Sequence, residues 1–143
     1  MNDLAQAQAE PSLRQRVAEY FHKVKTDFPA SLEMLASDIC WINRLPEHVP
    51  FGGEYRGREG VIEYFELMAE TFVLGEHPLD EYEFIESGDT LVIIGCEKGG
   101  VARPTGKVFD LPFVWVLRFD EAGRIRFLQE HNDTAAIGAA FLP

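Results

Sequence analysis

The stretch LPFVWVLRF, Leu111 to Phe119, constrains this chain more than any other, because as a strand it is apolar on both sides. Side chains alternate across a strand, so Phe113, Trp115 and Leu117 fall on one face, and Val114 and Val116 on the other. A sheet with one face in water would alternate apolar with polar residues instead. The stretch from Leu91 to Glu97 repeats the pattern, setting Leu91 and Ile93 against Val92, Ile94 and Cys96. Each face therefore needs a cover. Helices of the same chain can supply one, and a second copy of the chain the other, so a homodimer through the outer sheet face is expected.

The helices come first along the chain. Ser12, with Gln15 three residues on, reads as a capping box. Leu13, Val17, Tyr20, Phe21 and Val24 then recur at helical spacing. Pro29 interrupts, and Leu32, Met34 and Leu35 predict a second short helix ending near Asp38. ICWINR, from Ile39 to Arg44, has no helical period and is rich in β-formers, which predicts a strand. LPEHVPFGGEYRG predicts a long irregular loop, and Val61, Ile62, Phe65 and Met68 resume a helix after Gly60. From Glu81 onward strand follows strand: YEFIE, TLVIIGCE, a Gly/Pro loop, VFDLPFVWVLRF and RIRFLQEHN, with turns at SGD and DEAG. Asp133 is placed to cap a last helix, TAAIGAAF. Helices followed by an antiparallel meander make an α+β fold. Residues 12–143 read as a single domain behind a flexible N-terminus over 1–11.

A chain of 143 residues with 46% hydrophobic content can build one core without disulfides or metal. Its net charge of -11, with no local Lys/Arg cluster, would be repelled by phosphate backbones and anionic lipid, so no nucleic acid and no membrane is expected as a partner. The start carries no secretory pattern and no run is long enough to span a bilayer, which predicts a cytoplasmic protein. Cys40 and Cys96 lie far apart in apolar stretches and read as buried reduced thiols, with a disulfide left open. The four histidines and two cysteines show no ligand spacing. Nor is there a G-x-S-x-G elbow or a strand leading into a phosphate loop, so neither metal nor cofactor is expected. Eleven Phe, four Tyr and two Trp suit a dense core or a pocket for a flat apolar ligand.

The segments LASDICWINRLPEHVPFGGEYRGREGVIEYF, VWVLRFDEAGRI and EHNDTAA resemble the nuclear transport factor 2-like superfamily, and within it the SnoaL-like and ketosteroid isomerase-like proteins. The resemblance runs from Leu13 to Phe141. It implies a cone: a strongly curved mixed or antiparallel sheet wrapped around three helices of the N-terminal half, with an internal pocket at the open end. Such a fold hosts isomerases, cyclases, dehydratases, epoxide hydrolases and proteins without chemistry, so activity transfers only residue by residue. The steroid isomerase pattern places its tyrosine at Tyr20, its base at Asn43 and its second acid at Trp115, and only the tyrosine agrees. The epoxide hydrolase pattern falls on Gly95, Glu97 and Glu130, and its arginine is missing. SnoaL-type cyclases use one acid/base carboxylate in the pocket, a role that Glu130 is placed to fill.

Glu130 shares its strand face with Leu128 and Asn132, and the resemblance turns that face inward. Among aromatic side chains its carboxyl would titrate high, toward the range of a general base; alternatively it is solvated at the rim or paired with Arg44 or Arg126. Asn43 and Tyr20 can donate hydrogen bonds without carrying charge, and these three are the catalytic candidates. Trp41 and Trp115 would wall the pocket, with Leu128, Asn132 and Glu97 completing the lining. His131 joins that lining if a bulge turns it inward, because a regular strand points it away from Glu130. His48 reads as a gate, an acid or simple loop surface. The expected function is a cofactor-independent isomerase, cyclase or hydrolase-type enzyme acting on a small apolar carbonyl-bearing molecule. The alternative is a non-catalytic small-molecule-binding or dimerisation module of the same fold.

Overall fold

In the computed structural model, which describes residues 10–143, the Gln15 N–H donates to Ser12 Oγ at 3.1 Å and the Ser12 N–H donates to Gln15 Oε1 at 2.7 Å. This capping box starts α1 (Leu13–Thr26), whose buried residues are Val17 and Tyr20. Of the stretch expected to be flexible, residues 1–9 lie outside the described ones.

The second helix differs from expectation. It is α2 (Phe28–Leu32), capped by Asp27, and Leu35 already opens β1 (Leu35–Asn43). Pro29 starts α2 instead of interrupting a helix, because a first-turn residue has no N–H partner to lose. β2 (Gly53–Arg56) lies inside the segment expected to be an irregular loop and pairs with β1 from Cys40↔Arg56 to Asn43↔Gly53. A four-residue edge strand carries too little alternation to be seen in the sequence. α3 (Gly57–Thr71) follows, then the short β3 (Phe72–Val73) and a single 3-10 turn at Leu79–Glu81.

The meander is β4 (Glu83–Ser87), β5 (Thr90–Ala102), β6 (Lys107–Phe119) and β7 (Ile125–Asn132), closed by α4 (Thr134–Ala140) with Asp133 as its cap. β5 and β6 extend through most of the expected Gly/Pro loop, with a register shift between Glu97 and Gly100 that absorbs the glycines. The strand order is β2-β1-β7-β6-β5-β3, with β4 on β5; β1 and β7 are parallel and the remaining pairs antiparallel. The sheet curls strongly into a half-barrel, the expected cone. Helices pack on its inner face, where Leu91, Ile93, Leu117 and Leu128 meet Val17, Ile39 and Val61, all fully buried. Among the described residues, no helix is long and apolar enough to cross a membrane.

Candidate functional site

Parity and pairing gather polar side chains on the inner face. Glu130 and Asn132 stand two residues apart on β7 and point the same way. Parallel pairing puts Asn43 opposite Glu130, and Trp41 opposite Leu128. From the helical side comes Tyr64, part of the buried stripe Val61, Tyr64 and Met68 of α3.

These residues form a directed relay. Asn132 Nδ2 donates to Asn43 Oδ1 at 2.9 Å, and Asn43 Nδ2 donates to Tyr64 Oη at 3.1 Å. The Tyr64 hydroxyl then donates to Glu130 Oε2 at 2.8 Å, and the Trp41 indole N–H donates to the same oxygen at 3.0 Å. Each bond polarises the next, and the relay ends on a carboxylate. Asn43 thus spends both ends of its amide inside the protein.

Glu130 is 8% exposed and, among the described residues, forms no salt bridge. Arg44 pairs with Glu54 at 3.3 Å and Arg126 with Asp89 at 2.9 Å, so neither arginine expected as a partner reaches it. Burial pushes the Glu130 carboxyl above the usual glutamate value. The hydrogen bonds from Tyr64 and Trp41, helped by the neighbouring Asn132 amide, draw it partly back, and the charge of Glu97 adds to the rise. Burial, and then the charge of Glu130, raise both Tyr64 and Tyr20, which therefore remain neutral donors near pH 7.

The relay borders a cavity of about 280 Å³. Glu130, Asn43 and Tyr20 line it, as do Trp41, Trp115, Asn132 and Glu97. Two donors on this wall, Tyr20 Oη and Trp115 Nε1, are buried without a hydrogen-bond partner among the described residues. Leu128 and His131 are not in the lining. Leu128 faces inward but is fully buried in the core between Trp41 and Leu117, deeper than the cavity. His131 is exposed, because β7 runs in regular register from Leu128 to Asn132 and no bulge turns it. His48 is an exposed loop residue whose Nε2 lies 2.8 Å from the Gly138 carbonyl.

A second polar corner occupies the same cavity. Glu97 Oε2 accepts from the Gly75 N–H at 2.7 Å, and Glu97 Oε1 lies 3.3 Å from His77 Nε2. Gly95, where the epoxide hydrolase pattern would have an arginine, is covered by Tyr82: a Cβ there would come within 2.5 Å of the ring. Sequence reasoning missed both Tyr64 and His77. The Val61/Tyr64/Met68 spacing was the available signal for the first; the second sits in a segment with no period. Among the described residues, no three His, Cys, Asp or Glu side chains gather to hold a metal ion.

The assembled chemistry is a desolvated carboxylate, held by neutral donors, beside an aromatic cavity with unfilled donors. Comparison with known proteins gives its context. Similar solved structures include a nuclear transport factor 2-like protein from Burkholderia xenovorans, 22% identical, with a TM-score of 0.80 over 91% of this chain and 95% of that one. Another, of unknown function, from Burkholderia pseudomallei, is 28% identical with a TM-score of 0.75 over 93% of this chain and 100% of its own. TerC, co-crystallised with polyporic acid, is 21% identical with a TM-score of 0.71 over 91% of this chain and 98% of its own. No curated protein matches the chain. The family model described as a SnoaL-like domain matches residues 15–128, which is most of the chain. The chain belongs to the SnoaL-like family, within the nuclear transport factor 2-like superfamily.

Proposed function

We propose that this protein is an enzyme in which Glu130 removes a proton next to the carbonyl of a small, flat, apolar compound. The observation that carries this reading is a carboxylate buried at the cavity wall with neutral donors and, among the described residues, no ion-pair partner. An ion-paired glutamate is a weak base, whereas one desolvated among aromatics titrates closer to neutral pH and can accept a carbon-bound proton. The Tyr64 and Trp41 bonds both fall on Oε2, so Oε1, on the side of the Asn132 amide, is the oxygen that takes that proton. The C–H bond breaks heterolytically, its electron pair moves into an enolate, and the orphaned Tyr20 hydroxyl and Trp115 indole are the donors for the oxygen that gains charge. Asn43, Asn132 and Tyr64 position the base. A small-molecule ligand in this fold has a precedent in the polyporic acid of TerC.

Two further elements belong to this reading. The outer sheet face, with Ile85, Ile94 and Val114 exposed, packs against a second copy of the chain. Cys40 and Cys96 are free thiols on different strands, which suits the reducing cytoplasm. A non-catalytic binding module is the second reading, favoured by the full engagement of Glu130 Oε2 within the protein.

Deuterium exchange separates the two. With 2-tetralone in D2O, wild type is expected to wash out the protons next to the carbonyl faster than buffer, and Glu130→Gln to lose at least about a hundredfold of that rate. Native mass spectrometry of freshly purified protein would then identify a retained ligand. Exchange that is equally fast in Glu130→Gln removes Glu130 from the chemistry.

A further inference from the structure

The second polar corner sets a histidine beside a carboxylate in the wall of an aromatic cavity. Glu97 is 5% exposed, and the side chain of His77 is 13% exposed, packed against the rings of Phe21, Phe113 and Trp115 at 6.0, 6.4 and 5.8 Å between centroids. Apolar residues of similar volume can often replace a buried polar pair at little cost in stability, so the presence of His77 beside Glu97 asks for a use.

Its geometry is that of an oriented imidazole. The segment from Gly75 to His77 is sewn to β5: the Glu76 N–H donates to the Lys98 carbonyl at 2.8 Å, and the Lys98 N–H donates to the Glu76 carbonyl at 3.0 Å. The Gly75 N–H fixes one oxygen of Glu97 and His77 Nε2 faces the other, so a single carboxylate ties down both ends of the segment. Gly75 is required for this approach, because a Cβ there would collide with the Lys98 carbonyl. With Nε2 directed at Glu97, Nδ1 is the imidazole atom left over, and it has no hydrogen-bond partner among the described residues. A carboxylate that occupies one ring nitrogen fixes the tautomer and leaves the other for chemistry. Both His77 and Glu97 line the cavity that Glu130 lines, and Trp115 adjoins both groups as the register partner of Glu130 and a ring neighbour of His77.

We propose that His77 is a second proton-transfer residue of the cavity, acting through Nδ1, with Glu97 as its positioning residue. The proposal rests on Glu130 as the base. When Glu130 takes the proton from carbon, the Nδ1–H bond of the His77 imidazolium breaks and its proton goes to the carbonyl oxygen, giving an enol, a protonated Glu130 and a neutral imidazole. In the return step Glu130 gives a proton back to carbon while Nδ1 takes back the hydroxyl proton. The charges of both residues are restored, and the carbonyl compound has exchanged a carbon-bound proton.

Two measurements on the full chain test this. In the 2-tetralone exchange assay, His77→Gln is expected to lose about a hundredfold in rate with KM within a few-fold of wild type, and Glu97→Gln about tenfold with a displaced pH profile. A purely structural pair would not move that profile. Wild-type exchange in His77→Gln, with Glu130→Gln slow, overturns the proposal and spares Glu130. Slow His77→Gln with fast Glu130→Gln keeps the His77 step and overturns the Glu130 reading. Exchange by wild type no faster than buffer overturns both. The second measurement does not depend on turnover: 15N resonances of His77 are followed as 2-naphthol, a planar enol analogue, or naphthalene is added. The Nδ1 resonance is expected to move with 2-naphthol and stay with naphthalene; an Nδ1 unmoved by bound 2-naphthol overturns the proposal.

Discussion

The Tyr64 hydroxyl donates to Glu130 Oε2 at 2.8 Å, joining α3 to β7 across 66 residues of sequence. It also accepts from Asn43 at 3.1 Å, so one oxygen serves as both acceptor and donor in the relay. Tyr64→Phe strips the carboxylate of a donor and leaves a buried Asn43 N–H without an acceptor. A loss of about 1–3 kcal/mol in urea denaturation is expected, and the Glu130 carboxyl, followed by 13C NMR, should titrate higher than in wild type.

Glu130 also links stability to pH. Its folded-state value lies above the ordinary 4.5, so the folded protein binds more protons than the unfolded chain between those two values. Stability therefore falls as pH rises from about 4.5 to the raised value and then levels off. Glu130→Gln should flatten that part of a urea-midpoint series. The exchange rate should run the other way, climbing as Glu130 ionises.

Tyr20 should separate folding from binding. Its hydroxyl is buried and without a partner among the described residues, a state that costs on the order of 1–3 kcal/mol. Tyr20→Phe is expected to raise the melting temperature of the free protein while weakening 2-tetralone relative to naphthalene in a fluorescence titration. A variant that melts lower, or binds both probes as wild type does, would mean that the hydroxyl is satisfied by something other than ligand.

On the outer face, Ile94 pairs with Val114, and Ile85 with Val92. Ile94 and Val114 are 38% and 36% exposed, enough for a charge to reach a partner's surface. Val114→Glu is expected to convert a dimer to a monomer in analytical ultracentrifugation at micromolar concentration, with little change in secondary structure. A wild-type monomer under those conditions would refute the interface.

Strand faces were legible in the sequence because period-two alternation allows no drift in a regular strand. RIRFLQEHN therefore placed Leu128, Glu130 and Asn132 on one side, and regular register kept His131 on the other. Depth along the cone was not legible: alternation separates in from out, but not the cavity from the packed core beneath it, where Leu128 lies. Tyr64 escaped notice because a tyrosine in an apolar helical stripe reads as core, and its partner is on a distant strand. His77 depends on how closely Gly75 approaches β5, a tertiary fact without a local pattern. The second helix begins earlier than its sequence suggests because a proline reads as a stop in a helix interior, while in a first turn, where Pro29 stands, it is a start.

The strand order β2-β1-β7-β6-β5-β3 seats β7 between β1 and β6, although β7 is the last strand in the chain. During synthesis β1 has no strand on that side, and β6 has one free edge, until nearly the whole domain has emerged. Pairings this distant in sequence form slowly. The cavity, the Glu130 in its wall and the complete sheet consequently come into being in one late event, and a chain stalled before Ile125 would expose two unpaired apolar edges as a substrate for chaperones or aggregation.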